Sequence, residues 1–596
     1  MKRRKAILFF FVAILVLSSL PLNVTNANAQ GTTRQSLDIK KTFVQPIIDG
    51  KLDEEMWSIN EPIDVPFGEG DFKDSQFGMF WDHTYLYIGV IVEDDQLVHD
   101  GDGDWFQQDS ISLFFDPSLH QSSPFVENDM QIGLVYQPNS STPKFYFGAA
   151  ANHKNKAEND ILRAIEKTDK GWNAEVAIPW EMLDFDPELR KQLGFEINVT
   201  HRDDKTDAPF SAWSAYQSSS FWNDTSGYGN INLSEETITG TENNLLLEEN
   251  FDSYETGEFP TNWTSHVNSG SQSFKIVKDA GNQDGKLVYD GNASGHSAAA
   301  LAPVRWDNYV VEADLTFEQV LNSARWASVV VRASDNGLNQ YNQMAVRQNG
   351  SFEFAYRTAT NSWSVPVAGK WTQPLALGED YRLKIRIVDN NVKEYIKAKN
   401  DQDFTLLTDQ SLDSSILERG KVGVRVDQSK VAFDNLKVTR VTADDITMNV
   451  PLELESLTGP VAVSYEVTFS DGVKESVPTE HVKLYSSDES VIKVIDGQLY
   501  PFNEGKATVK AIYQNAIIEK EIHVTPSTEG VKVMSLAHED GYILGTEDIA
   551  IPINGITFQT SNNDLTEGQI TGDQVTWSSE SAHLEIGTDS ILPKRA

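Results

Sequence analysis

Short runs in which apolar residues alternate with polar ones, or which are apolar throughout, recur along the whole chain. TYLYIGVIVED (84–94), WNAEVAIPW (172–180), NYVVEADLTF (308–317), YRLKIRIV (381–388) and KVGVRV (421–426) are each bounded by Gly, Asn, Asp or Ser. A period of two puts successive side chains on opposite faces of a pleat, so these runs predict strands. The only helical turn the pattern suggests follows Pro179, over 180–183. A (β/α)₈ barrel needs about eight helices alternating with its strands, so the fold class expected is all-β, with β-sandwich modules in series.

The N-terminus reads differently. Lys2, Arg3, Arg4 and Lys5 precede an apolar run over 7–20, and Ala27, Asn28 and Ala29 supply the small residues a signal peptidase accepts. Residues 1–29 are therefore expected to be a signal peptide and the protein to be secreted into the extracellular space. Downstream, no stretch approaches the roughly 18 uninterrupted apolar residues of a membrane span. With 49 basic and 88 acidic residues the chain carries a formal charge of −39, which argues against nucleic acid as a partner. The chain has no cysteine, so disulfides, thiol catalysis and Cys-ligated zinc are excluded.

Polar, aperiodic stretches at 30–38, 234–246, 441–446 and 525–528 divide the rest into blocks at about 40–233, 246–440, 446–525 and 530–596. In the first block, IDGKLDEEMW (48–57), FGMFWDHTYLYIGVIVEDD (77–95), WFQQDSISLFFD (105–116), GWNAEVAIPWEML (171–183) and FWNDTSGYGNINL (221–233) follow one another in order. Together these motifs resemble carbohydrate-binding module family 9. The resemblance implies a β-sandwich that binds the ends of polysaccharide chains, usually attached to a secreted xylanase or related glycoside hydrolase. Xylan, cellulose or a related β-glycan is the partner it implies.

Carried over position by position, the family pattern puts Phe106 in the place of a ligand-binding Trp, with Trp105 one residue away. It puts Ser112 in the place of a Glu, and Trp222 in the place of the second ligand-binding aromatic. The family's ligand-binding Arg falls near Gly133. A pyranose offers an apolar CH face to an aromatic ring and a rim of hydroxyls to hydrogen-bonding groups, so the rings are the part of the site that this sequence keeps. Along 110–115, Ile111, Leu113 and Phe115 are predicted to face one way and Ser110, Ser112 and Phe114 the other. Trp57, Trp81, Trp172 and Trp180 stand in framework motifs and are expected in the core.

Asp94, Asp95, Asp100, Asp102, Asp104 and Asp109 crowd one stretch, but a chain with 88 acids produces such crowding in solvated loops, and no catalytic acid pair stands out. DGDGD at 100–104 opens like an EF-hand loop, yet Trp105 stands where the loop needs Gly and Ile111 where it needs Glu. An irregular structural calcium site is the cofactor expectation that remains. HExxH, G-x-S-x-G and P-loop motifs are absent.

The second block, opening ENFDSYETGEFPTNW (249–263) and closing GKVGVRVDQSKVAFDNLKVTR (420–440), resembles concanavalin-like jelly-roll modules. Trp263, Trp306, Trp326, Trp363 and Trp371 are its candidate stacking surfaces. The third, with LYSSDESVIKVIDGQLYPFNEGKATVKAIY (484–513), resembles the bacterial Ig-like group 2 domain, a spacer in secreted proteins. WSSESAHLEI (577–586) repeats the pattern of YSSDESVIKV (485–494), so residues 530–596 are expected to begin a second Ig-like copy that ends before its closing strands.

The function expected is a secreted carbohydrate-binding protein, the non-catalytic modular part of a polysaccharide-degrading enzyme. The alternatives are a glycoside hydrolase centred on the jelly roll and a glycan-binding surface adhesin. Cleavage after Ala29 makes Gln30 the first residue of the mature protein, and intact-mass analysis of culture medium is expected to show the loss of residues 1–29.

Overall fold

The computed structural model describes residues 34–526 except 71, 100–103, 149–159, 203–208, 215–220, 279–282, 335–337, 359, 361, 413–416 and 457–459, and five strands beyond 530. The signal-peptide expectation for 1–29 and most of the DGDGD loop lie outside the described residues. Throughout the rest, strands are joined by turns and single turns of 3₁₀ helix, and they assemble into several separate sheets. The architecture is all-β sandwich modules in series, as the alternation predicts.

In the first module one hydrogen-bonded path forms both layers of the sandwich. It runs Lys144–Phe147, Met130–Val135, Ser110–Asp116, Gln192–Thr200, Gly229–Ile238, Ser36–Thr42, Ser75–Trp81, Tyr85–Glu93, Gly171–Pro179 and Leu162–Lys167. Phe77 from one half meets Phe195 from the other at 5.8 Å, and Tyr136 meets Trp172 at 5.7 Å, inside a shared core. Trp81, Trp172 and Trp180 are buried there, whereas Trp57 is half-buried at the edge of a smaller cluster. The predicted turn after Pro179 is the 3₁₀ helix Trp180–Leu183.

The framework motifs have a common anchor. Glu175 accepts hydrogen bonds from the backbone N–H groups of Asp49 and Gly50, at 2.8 and 2.6 Å, and from Trp57 Nε1 at 3.0 Å. Gly50 has φ +95°, and a Cβ there would come within 2.5 Å of the Ile165 carbonyl carbon, so this turn needs glycine. Burial, with the negative charge of nearby Glu54, pushes the Glu175 carboxyl up to about 8.

The second module is two facing sheets. One is ordered Lys275–Lys278, Gly285–Asp290, Ser429–Arg440, Tyr309–Val320, Asp380–Val388, Asn391–Ala398 and Thr405–Ser411. The other is ordered Thr264–Ser269, Ser297–Trp306, Gly420–Asp427, Trp326–Ala333, Tyr341–Arg347, Ser351–Arg357 and Trp363–Lys370. Trp263, Trp306 and Trp371 fill the core between them, while Trp326 and Trp363 do not.

The third module pairs Gly505–Tyr513 with Ala516–Thr525 and Lys483–Ser486, and buries Ala507, Val509 and Ala511 on one face. The strands Val531–His538, Ile551–Thr560, Leu565–Gly568, Leu584–Ile586 and Ser590–Pro593 follow. The stretches with linker composition are largely structured: Gly229–Ile238 runs into 234–246, and Ala443–Asn449 takes up most of 441–446.

Polar contacts join the modules. Arg440 donates to the carbonyls of Gln45 and Pro46, and Tyr85 Oη donates to Asp307 at 2.7 Å while accepting from Arg419 Nε at 2.9 Å. Lys510 pairs with Glu188, and His83 Nδ1 lies 3.2 Å from the same carboxylate. These two neighbours hold Glu188 well below the usual carboxylate range. Between the second and third modules, buried Arg386 pairs with Asp471 at 2.6 Å and Glu475 at 2.7 Å. Truncating one member of such a set leaves the others uncompensated. Arg386→Ala is expected to cost toward the lower end of about 3–5 kcal/mol, since its partners keep some solvent contact, and to lower the calorimetric unfolding transition of the full chain.

Candidate functional site

The strand Ser110–Asp116 lies between Met130–Val135 and Gln192–Thr200, antiparallel to both. Ile111, Leu113 and Phe115 enter the core, so Ser110, Ser112 and Phe114 leave by the opposite face, as alternation predicts. Across that face Ser112 stands opposite Gly133 on one side and Asn198 on the other. Gly133 in turn stands opposite Tyr146.

A single 3₁₀ turn, Trp105–Gln107, lays an aromatic cover on this row. A Cβ at Gly133 would meet the Trp105 ring at 2.3 Å, so the indole reaches the sheet only because residue 133 is glycine. The same indole stacks on Tyr146 with centroids 6.0 Å apart and planes at 13°. Phe106 meets it edge-on at 5.8 Å and is 51% exposed. The Trp105 indole thus packs against the position near Gly133 to which the resemblance assigns an arginine.

Trp222 comes from a second single turn, Phe221–Asn223, and is 47% exposed. Tyr228 Oη donates to the Phe221 carbonyl at 2.7 Å, and Phe125 N–H donates to Asn223 Oδ1 at 3.1 Å. The Phe221 ring rests on Phe114 at 5.7 Å and on Phe210 at 5.2 Å. Phe114 is two residues from Ser112 on the same strand face, so the turn carrying Trp222 is anchored on the face that Trp105 covers. Ser112 itself is only 5% exposed and forms the floor beneath the rings.

Two groups on or beside this face escaped the sequence reading. Tyr146 alternates with Phe145 and Phe147, which pack on the core, and this KFYF alternation was the signal that would have found it. Glu196 lies opposite Phe114, between the core residues Phe195 and Ile197. Its Oε1 accepts from the backbone N–H groups of Ile197, Trp213 and Ser214 at 3.0, 3.0 and 3.1 Å. Burial outweighs those bonds and pushes the carboxyl up to about 8.

Of the crowded acids, Asp109 is buried and accepts from the N–H groups of Val98 and Arg202. Burial pushes it up to about 7. It ties two loops to the start of the strand. For a cation, the cluster with suitable donors among the described residues is Asp116, His120 and Asp129, whose ligand atoms lie within 4.8 Å of one another. Most of their atoms are engaged within the cluster: His120 Nε2 is 2.7 Å from Asp129 Oδ2, and Asp116 accepts from the N–H groups of His120 and Gln121, while Asp129 Oδ1 is buried without a hydrogen-bond partner among the described residues. The set closes the loop between two strands of the site.

The family described as carbohydrate family 9 binding domain-like matches residues 48–236. The endo-1,4-beta-xylanase A of Thermotoga maritima is 30% identical over 193 residues, 32% of this chain and 17% of that protein. That of Thermoanaerobacterium saccharolyticum is 29% identical over 191 residues, 32% and 15% respectively. The exoglucanase XynX of Acetivibrio thermocellus is 27% identical over 236 residues, 39% and 20%. The chain thus spans less than a fifth of the first two relatives' length. Among solved structures, a family 9 carbohydrate-binding module of Caldicellulosiruptor kristjanssonii in complex with cellotriose is 19% identical, with a TM-score of 0.28, covering 33% of this chain and 94% of that one.

The raised carboxyl of Glu196 carries a pH dependence of definite sign. The native group stays protonated up to about 8, whereas the unfolded one ionises near 4.5, so its contribution is full below pH 4.5 and is lost as pH rises toward 8. The loss is at most about 1.4 kcal/mol per pH unit. Glu196→Gln is expected to remove this slope, so that melting of the variant falls less than wild type between pH 5 and pH 8 in calorimetry.

Proposed function

From the family 9 carbohydrate-binding-like domain at residues 48–236, we propose that the chain is a secreted carbohydrate-binding protein that grips β-glycans such as xylan or cellulose. In this reading it is the non-catalytic, modular part of a xylanase-type polysaccharide-degrading system. The observation that carries it is the aromatic layer over one sheet face of this domain, where the Trp105 indole lies flat against Tyr146 and Trp222 stands half out into solvent. A solvent-facing indole gives the CH face of a pyranose a place to stack, and stacking of this kind tolerates variation in the sugar. The curated relatives support the substrate class, since proteins named xylanases carry a domain similar to this one.

The buried state of Ser112 and the glycine at 133 shape the selectivity. Where the resemblance implies a charged pair reading the hydroxyl rim, this chain presents a small hydroxyl under rings and no side chain at all. Affinity then comes chiefly from stacking, and discrimination among sugars that differ in one hydroxyl is weak. The second and third modules, read as a concanavalin-like jelly roll and an Ig-like spacer, hold the binding module at a defined position through the polar contacts at Arg440, Tyr85 and Glu188.

Trp222→Ala is expected to weaken binding of xylo- or cello-oligosaccharides by roughly 1–3 kcal/mol, the range known for bases stacked on aromatic side chains. Isothermal titration of the folded full-length variant checks this, and an unchanged dissociation constant moves the site away from Trp222.

A further inference from the structure

The second module presents a built face of its own. In the strand Trp326–Ala333, Ala327, Val329 and Val331 enter the core, so Trp326, Ser328 and Val330 leave on the outer side of the sheet. Register places Arg425 of the neighbouring strand opposite Ser328. The guanidinium of Arg425 lies 4.7 Å from the Trp326 ring, 5.4 Å from Tyr341 and 5.8 Å from Trp363. Tyr341 and Trp363 themselves meet edge-on at 5.7 Å.

This cage is not a core plug. Arg425 is only 7% exposed, yet among the described residues its Nε has no hydrogen-bond partner and its Nη1 reaches only Gln343 Oε1, at 3.5 Å. A carboxylate two residues away, Asp427, is engaged by Arg325 at 3.2 Å, and Glu353 by Arg347 at 2.8 Å. A guanidinium taken out of water is stabilised by a carboxylate or phosphate that accepts from its planar fork, and here the protein supplies rings instead. Trp363, beside it, keeps 48% of its surface in solvent. In a chain of charge −39, a buried cation that is compensated only in part, by an Asp427 carboxylate shared with Arg325, and that lies next to an exposed indole is complementary to an anionic ligand that also has an apolar face.

A pyranose bearing a carboxylate has both features. We propose that the outer face of this sheet is a second glycan site, selective for uronosyl sugars. The Trp363 indole stacks on the CH face of the ring, and the guanidinium of Arg425, held in place by Trp326 and Tyr341, donates to the carboxylate as its ion-pair partner. The site is independent of the first module and of the reading given to it.

The test uses the full-length protein and two probes, a glucuronic-acid-substituted xylotetraose and its carboxyl-reduced counterpart, in isothermal titration. The acidic probe is expected to bind at least tenfold more tightly than the reduced one. Trp363→Ala, an exposed position whose folding is checked by circular dichroism, is expected to weaken the acidic probe tenfold or more. Arg425→Lys, which keeps the charge and loses the fork, is expected to narrow the gap between the two probes. Trp222→Ala is expected to leave the preference for the acidic probe intact. Absence of acidic-probe binding, equal affinity for both probes, an unchanged constant in Trp363→Ala, or loss of the acid preference in Trp222→Ala instead, overturns the proposal.

Discussion

A strand can serve a hydrophobic core and a binding face at once only because successive side chains leave opposite sides of the pleat. Ser110–Asp116 shows the constraint most plainly. Ile111, Leu113 and Phe115 close the sandwich core, and that fixes Ser110, Ser112 and Phe114 on the far side, where Trp105 and Phe221 settle over them. A register slip of one residue would exchange the two sets and destroy core and site together. The second module repeats the arrangement: Ala327, Val329 and Val331 belong to its core, and Trp326 and Ser328 to its outer face.

Neither face is made by strands alone. The pleat supplies a flat floor, and the rings that stand above it come from turns or edge strands: Trp105 and Trp222 from single 3₁₀ turns, Trp363 from the last strand of its sheet. Such elements have one free side, so a large ring there stays in contact with water. The modules meet through Arg440, Tyr85, Arg419 and Glu188, contacts more polar than the cores they connect. If the two proposed faces both hold sugar, modules joined in this way would favour simultaneous engagement of one polymer, because the second contact becomes intramolecular.

The acids of the chain divide by burial. Glu175, Glu196 and Asp109 are buried, accept backbone N–H groups and are pushed toward or above neutral pH. Glu394, buried in the second module, is also raised, by burial first and by the charge of Glu353. Perturbed carboxyls often mark catalytic sites. In the first module they mark anchorage: Glu175 caps the Asp49–Gly50 turn, Glu196 the segment at 213–214, and Asp109 the loops at 98 and 202. Glu188 goes the other way, because its neighbours are the cationic Lys510 and the imidazole of His83.

Alternation in the sequence by itself determined the strands and the facing of 110–115, because each follows from local periodicity, and Pro179 marked the turn after it. The core places of Trp81, Trp172 and Trp180 were legible through the framework motifs of the resemblance, which also put Trp57 in the core, where it is only half-buried. The ordered motifs of the first block were equally legible. What local pattern could not decide was which of the remaining tryptophans face solvent. Trp263, Trp306 and Trp371 fill a core while Trp326 and Trp363 line an outer face, and all five stand in similar sequence. The fate of Gly133 was hidden for the same reason, since the ring that lies against it comes from residue 105 in another element. Likewise the linker-like composition at 234–246 concealed a strand whose hydrogen bonds are made to Ser36–Thr42, nearly two hundred residues earlier. Pairing across such separations sets exposure and ring placement, and no window of sequence contains both partners.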